Sequence, residues 1–433
     1  MKAGDNMKTN SIIKDILDRA EGLSAYRITE RATRSYELFF VHRKLETVRS
    51  TDTVATDVTV YVDHDGKLGD STFHVYPSMT AADIEARTAS AIRRAKLVFN
   101  EPYALAPAGE LEAELPTNLD QYAPEELGQL IADAVFAADV VPGGSINALE
   151  IFIYRDTRHV VNSRGVDKTQ TVHRVMIEAI PTFTDEKQSV ELYEDYRFTH
   201  FDAAKVTAEI SEKLKETADR VRAEKPAEGF MTNIVLRPLE IEEFMWELAG
   251  DCNYQTIYSK ANLHTVGDVL QAGDGDKLTV TMKAVVEGSE NSAYFDDDGT
   301  DMHDMVIIKD GVVNGSYGAG RFGQYLGIDD PTGGLGCIRL EPGTLTDAEL
   351  AAEPYLECVS LSGIQLDLYN DYIGGEIRLA YLHDGARTTP ITGITMSGKL
   401  SDVLATLRLH EQTCVYDEYE GPKKLLMKGI SVL

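Results

Sequence analysis

The chain has 433 residues, 43% of them hydrophobic, which is material for two or three domains with sizeable cores. It carries 71 acidic against 42 basic residues, a formal net charge of −29, and no Lys/Arg-rich run. That balance excludes a phosphate-tracking surface, and direct nucleic-acid binding with it. Cys252, Cys337, Cys358 and Cys414 make no Cys-x-x-Cys pair, so neither a disulfide framework nor a four-thiolate zinc site is expected. Reduced thiols fit a cytoplasmic protein. Residues 1–10 are polar with no apolar h-region, and no stretch approaches the roughly 20 apolar residues of a membrane span.

In chain order, residues 11–20 place Ile12, Ile13, Ile16, Leu17 and Ala20 on one helical face. Residues 36–42 and 53–62 read as strands, and Asp65-Gly66 as a turn. Thr80 and Asp83 have capping-box spacing and open a helix to about residue 98. Residues 101–118, rich in Pro, Ala and Glu, read as a connecting loop. A helix over 124–138 starts on Pro124. Strands follow at 148–154, 155–159 and 172–181, with a turn at 162–165. A long helix spans 202–222 behind an Asp202 cap.

Pro226 and Gly229 end that helix and mark a boundary, giving an N-terminal α+β domain (1–225) and a C-terminal β-rich domain (226–433). The second half opens with a strand at 233–236 and a helix at 238–249. It continues with hairpins around Asp310-Gly311 and Asp384-Gly385 and a last helix at 401–409. No fixed-period repeat is present, and strict βαβ alternation is missing, so the expected class is α+β.

Several of these segments, in this order, resemble the TldD/PmbA family, once called modulators of DNA gyrase. They are Asp65-Gly-Lys-Leu-Gly-Asp-Ser71, Val161-Asn-Ser-Arg-Gly-Val166, Tyr294-Phe-Asp-Asp-Asp-Gly299, Val306-Ile-Ile-Lys-Asp-Gly-Val312, Tyr325-Leu-Gly327, Glu341-Pro-Gly343 and the run from Pro390 to Leu400. The similarity runs from about residue 36 to the C-terminus. It implies a cytoplasmic dimer that degrades or matures extended peptides. Catalytic members of that family hold zinc on a helix reading His-Glu, three residues, His, with a cysteine near the C-terminus. PmbA/TldE-type members lack that motif and pair with a TldD-like subunit.

Laid over residues 244–251, the motif puts Trp246 at the first His, Glu247 at the acid and Asp251 at the second His. An indole N–H has no lone pair to offer a metal. Catalytic zinc needs three protein ligands and an open position. Positions 246 and 251 lie about 140° apart on a straight helix, whereas 241, 244, 245, 248 and 249 form an apolar stripe. The family's cysteine is expected around residues 420–423, where there is none; Cys414 reads as a packing residue. Trp246 and Asp251 are thus degenerate metal positions, Glu247 a vestigial acid, and no cofactor is expected in this chain. Zinc would reside in the partner subunit of a heterodimer.

Two alternatives stay open. One is an active homodimeric metallopeptidase with altered ligands, in which Glu247 and Asp251 hold a cation with Cys252 or His264. The other is a non-enzymatic gyrase-modulating interaction protein. Gly318-x-Gly-x-x-Gly323 lacks the parallel βαβ setting of a dinucleotide site. The run from Asp296 to Gly299 fails EF-hand spacing and reads as a turn.

Overall fold

The computed structural model describes the backbone from residue 3 and side chains from residue 11 to the C-terminus. The chain begins with α1 (Ala3–Asp18), the strands β1 (Ala25–Val41), β2 (Lys44–His64) and β3 (Lys67–Val75), and α2 (Ala81–Ala95). Then come β4 (Gly109–Glu114), α3 (Pro124–Ala137), β5 (Gly144–Asn162), β6 (Val166–Thr184), β7 (Ser189–Glu191), β8 (Glu194–Phe198) and α4 (Ala203–Arg222). These strands form one eight-stranded sheet, β3-β2-β1-β5-β6, with β4, β8 and β7 along the outer side of β6.

Strand alternation explains where the helices go. Tyr26, Ile28, Leu38 and Phe40 point to one face of β1 and are buried. At one end of that face Ile13, Ile16 and Leu17 of α1 and Ile84 and Ile92 of α2 pack on β1–β3. At the other, Leu127 and Ile131 of α3 and Ile210 and Leu214 of α4 pack on β5 and β6. Ile12, placed on the core face by periodicity, is instead exposed.

The second half supplies β9 (Phe230–Leu236), α5 (Pro238–Asp251), α6 (Tyr254–Tyr258), β10 (Val280–Lys283), β11 (Met305–Lys309), β12 (Val312–Val313), α7 (Gly320–Tyr325) and β13 (Cys337–Leu340). After these follow α8 (Asp347–Leu350), β14 (Tyr355–Asp367), β15 (Tyr372–Asp384), β16 (Arg387–Ile391), β17 (Ile394–Lys399), α9 (Leu400–Thr406), β18 (Arg408–Leu409), β19 (Thr413–Tyr416), β20 (Tyr419–Pro422) and β21 (Leu425–Val432). One sheet runs β12-β11-β10-β13-β20-β19 and ends on β19. In the other, β14-β9-β21-β17-β15 closes on itself because β15 also pairs β14. Closure removes the free edges of those five strands. The architecture is α+β, a mixed N-terminal half followed by a β-rich half.

The structure corrects the sequence reading in places. Residues 109–114, read as loop, are β4, paired in parallel with β6. The separate strands at 148–154 and 155–159 are one strand, β5. The last helix stops at Thr406, and Arg408–Leu409 is extended.

Two polar contacts join the halves. The loop from Phe295 to Gly299 docks on the sheet face opposite the helices. There Arg158 binds Asp297 at 2.7 Å and the Phe295 carbonyl, and Lys168 donates to the Gly299 carbonyl at 2.9 Å. At the start of α5, Arg237 meets Glu216 of α4 at 2.5 Å and Glu357 of β14 at 2.9 Å.

Candidate functional site

Helix α5 packs on β9 and β14 of one C-terminal sheet and on β13, β19 and β20 of the other. Ile241, Phe244, Met245, Leu248 and Ala249 are all buried, so the apolar stripe holds the helix between the sheets. The polar residues of α5 are left to its flanks.

The three residues singled out from sequence go to different places. Trp246 is half-buried against the core, and its indole N–H is buried without an acceptor. Glu247 is exposed. Asp251 is buried and fully engaged: Oδ1 accepts from the Leu263 N–H at 2.6 Å, while Oδ2 accepts from the His264 N–H at 2.9 Å and contacts His264 Nδ1 at 2.9 Å. Asp251 therefore tethers the segment after α6 to the end of α5. Asp251 and His264 do meet, but Glu247 does not complete a ligand set with them. Cys252 faces the core, where burial and then Asp251 push its thiol up to about 12.

A zinc ion of the His-Glu-x-x-x-His kind does not fit these side chains. Trp246 has no lone pair, and the oxygens of Asp251 already serve three contacts. Of the cysteines, Cys252, Cys337 and Cys358 are buried, and burial raises the thiol of Cys414 on β19. The motif can also be laid five residues earlier, with Ile241 and Trp246 at the His positions and Glu242 at the acid. Neither Ile241 nor Trp246 can ligate a metal, so both frames fail.

The earlier frame nevertheless marks the face of α5 where charge accumulates. Glu242, only 7% exposed, meets Asp417 and Glu418 at the tip of the β19–β20 hairpin. One oxygen from each of the three lies within 4.8 Å of the others, the sole such group of potential metal ligands among the described residues. Burial, and then its contact with Glu418, push the Glu242 carboxyl up to about 10. Burial, and then the Glu418 charge, push Asp417 up to about 7. Nearby cations are committed elsewhere: Arg197 binds Asp195 at 2.9 Å and Glu290 at 3.1 Å. Glu418 Oε2 accepts one hydrogen bond, from Asn291 Nδ2 at 3.0 Å. Sequence reasoning missed this trio because α5 and the hairpin are far apart in the chain. The only signal was Asp417-Glu418 at a strand turn.

Asp417 also lines a cleft of about 240 Å³. One wall is β8 with the first turns of α4; the other is Val415 and Tyr416 of β19. Both β8 and β19 are outer strands of their sheets, so the cleft runs between two sheet edges with unpaired backbone groups. The other motifs are structural. Asp296 accepts from the N–H groups of Asp298, Thr300 and Gly334 and shapes the loop that ends at Gly299, φ +82°. Gly318 and Gly323 press on Tyr254, where a side chain would collide, and no parallel βαβ unit surrounds them. No helix of the described residues is long and apolar enough to cross a membrane.

Residues 230–432 match the family model described as the PmbA/TldA metallopeptidase C-terminal domain. No curated protein matches the chain in sequence. Three crystal structures share its fold over almost the whole length. The Thermococcus kodakarensis protein TldE superposes with a TM-score of 0.79 at 12% identity, covering 99% of each chain. A Bacteroides thetaiotaomicron protein described as a candidate modulator of DNA gyrase gives 0.80 at 14% identity, covering 98% of each chain. A Thermotoga maritima protein with a similar description gives 0.77 at 13% identity, covering 98% of this chain and 100% of its own.

Proposed function

The chain belongs to the TldD/PmbA family through its C-terminal half, and we propose that within the family it acts as the non-catalytic, PmbA/TldE-like subunit. The observation that carries this reading is the content of α5. In either frame, the positions that would bind zinc hold an indole, an alkyl group or a carboxylate already bound to the 263–264 backbone. A zinc-bound water, the nucleophile such peptidases need, has nothing here to hold its metal.

The role that follows is to pair with a TldD-like chain that carries zinc and to help hold an extended peptide in the cytoplasm. The cleft between β8 and β19 suits that task. An extended peptide satisfies its backbone by adding to a free strand edge, and β19 offers one. Neighbouring acids, Asp195 and Asp417 among them, favour basic or neutral peptides. The likeness to TldE is in keeping with this reading.

Co-expression with a TldD-like chain that has an intact His-Glu-x-x-x-His motif tests it. A stable mixed dimer with about one zinc per pair, and peptide cleavage absent from this chain alone, is expected. Failure to associate with such a chain, together with stable binding to gyrase, would replace this reading with the interaction-protein one.

A further inference from the structure

We propose that Glu242, Asp417 and Glu418 form a binding site for a hard divalent cation, calcium or manganese, that fastens the β19–β20 hairpin to α5. The three side chains come from two elements and bring one oxygen each within 4.8 Å of the others. Calcium–oxygen distances are about 2.3–2.6 Å, so ligands on opposite sides of one ion are about 4.6–5.2 Å apart. The spacing therefore admits a single ion between them. The donor set is all carboxylate, which suits hard cations and not the thiolate and imidazole chemistry of a structural zinc.

The second observation is the state of Glu242. Its side chain is more than nine-tenths buried, and its Oε2 has no hydrogen-bond donor among the described residues. A buried carboxylate oxygen left without a partner costs roughly 1–3 kcal/mol or more. Two of the three acids face each other, and an acceptor cannot satisfy an acceptor. The nearest guanidinium, on Arg197, is held by Asp195 and Glu290. A cation between the carboxylates removes both deficits. The route in is short, because Asp417 lines the cleft between β8 and β19 and is only partly buried.

This site is separate from the family's zinc positions, and its failure would leave the subunit reading where it stands. The test uses the full chain, stripped with chelator, dialysed and titrated by calorimetry with Ca²⁺ and with Mn²⁺ in turn. One ion per chain is expected for at least one of the two metals, with a rise in Tm on saturation. Glu242→Gln and Asp417→Asn should each weaken binding at least tenfold, while Asp274→Asn, on an exposed loop elsewhere, should not. Glu242→Gln is the variant that can misfold; Asp417→Asn, at a partly exposed turn, keeps the measurement decisive. No saturable uptake of either metal, or uptake unchanged in folded Asp417→Asn, overturns the proposal and leaves the trio held together by protons.

Discussion

At Arg237 two glutamates meet one guanidinium; a little further along the same helix, at Glu242, three carboxylates meet one another. Both clusters join α5 to a distant element, and both are largely buried. The first is neutralised within the chain: Glu216, 2% exposed, and Glu357 share the fork of Arg237. The second has no such partner. The contrast separates a structural clamp from a position that has to draw its counter-charge from outside. A family metal motif, read by spacing alone, points to neither.

The largest effect that sharpens this contrast is expected from Arg237→Met. Removing one partner of a buried ion pair costs about 3–5 kcal/mol, because it strands the other charge. Urea unfolding should show that loss, and adding Glu216→Gln should restore part of it. A loss below about 1 kcal/mol would mean that the clamp is not the junction described. Next is Arg158→Ala, which frees Asp297 and leaves the Phe295 carbonyl without its donor. A charged hydrogen bond of this kind is worth about 1.5–3 kcal/mol, and hydrogen exchange in the 295–301 loop should rise.

Asp251→Ala is expected to cost about 2 kcal/mol, since two buried N–H groups lose their acceptor. If Asp251 were instead a metal ligand, the variant's stability would depend on added metal, and a chelator titration separates the two. Asp202→Ala removes the cap on the Ala204 and Lys205 N–H groups and should cost about 1 kcal/mol. The smallest effect is expected at Glu242. In chelator, Glu242→Gln should stay within about 0.5 kcal/mol of the parent, because an amide of nearly the same shape removes a like charge. A loss as large as that of Arg237→Met would put both clusters in the same class.

Local chemistry was legible in the sequence wherever backbone geometry demands particular residues. Thr80 and Asp83 do form a capping box. Asp65-Gly66 and Asp310-Gly311 occupy positive φ in their turns, as Asp-Gly pairs in tight hairpins do. Strand β4 was hidden because Gly-Glu-Leu-Glu-Ala-Glu has few apolar residues; its reason to be extended is the parallel partner β6. The polar stretch 155–159 looked like a turn because Arg158 faces Asp297, a contact from the other half of the chain.

The candidate site was partly legible. Trp246 announces that an imidazole is missing, and no fold is needed to see it. Glu242 gave no such sign. On a helical wheel it is one more flank glutamate, and only the packing of α5 against the β19–β20 hairpin turns it into the centre of an acidic trio.

The most direct test of the central claim is a peptidase assay on this chain alone, with one equivalent of zinc and an unstructured fluorogenic peptide. No turnover above the zinc-only blank is predicted. Chelator-sensitive cleavage that survives repurification and is lost in Glu242→Gln would contradict the account and make the chain a metallopeptidase in its own right.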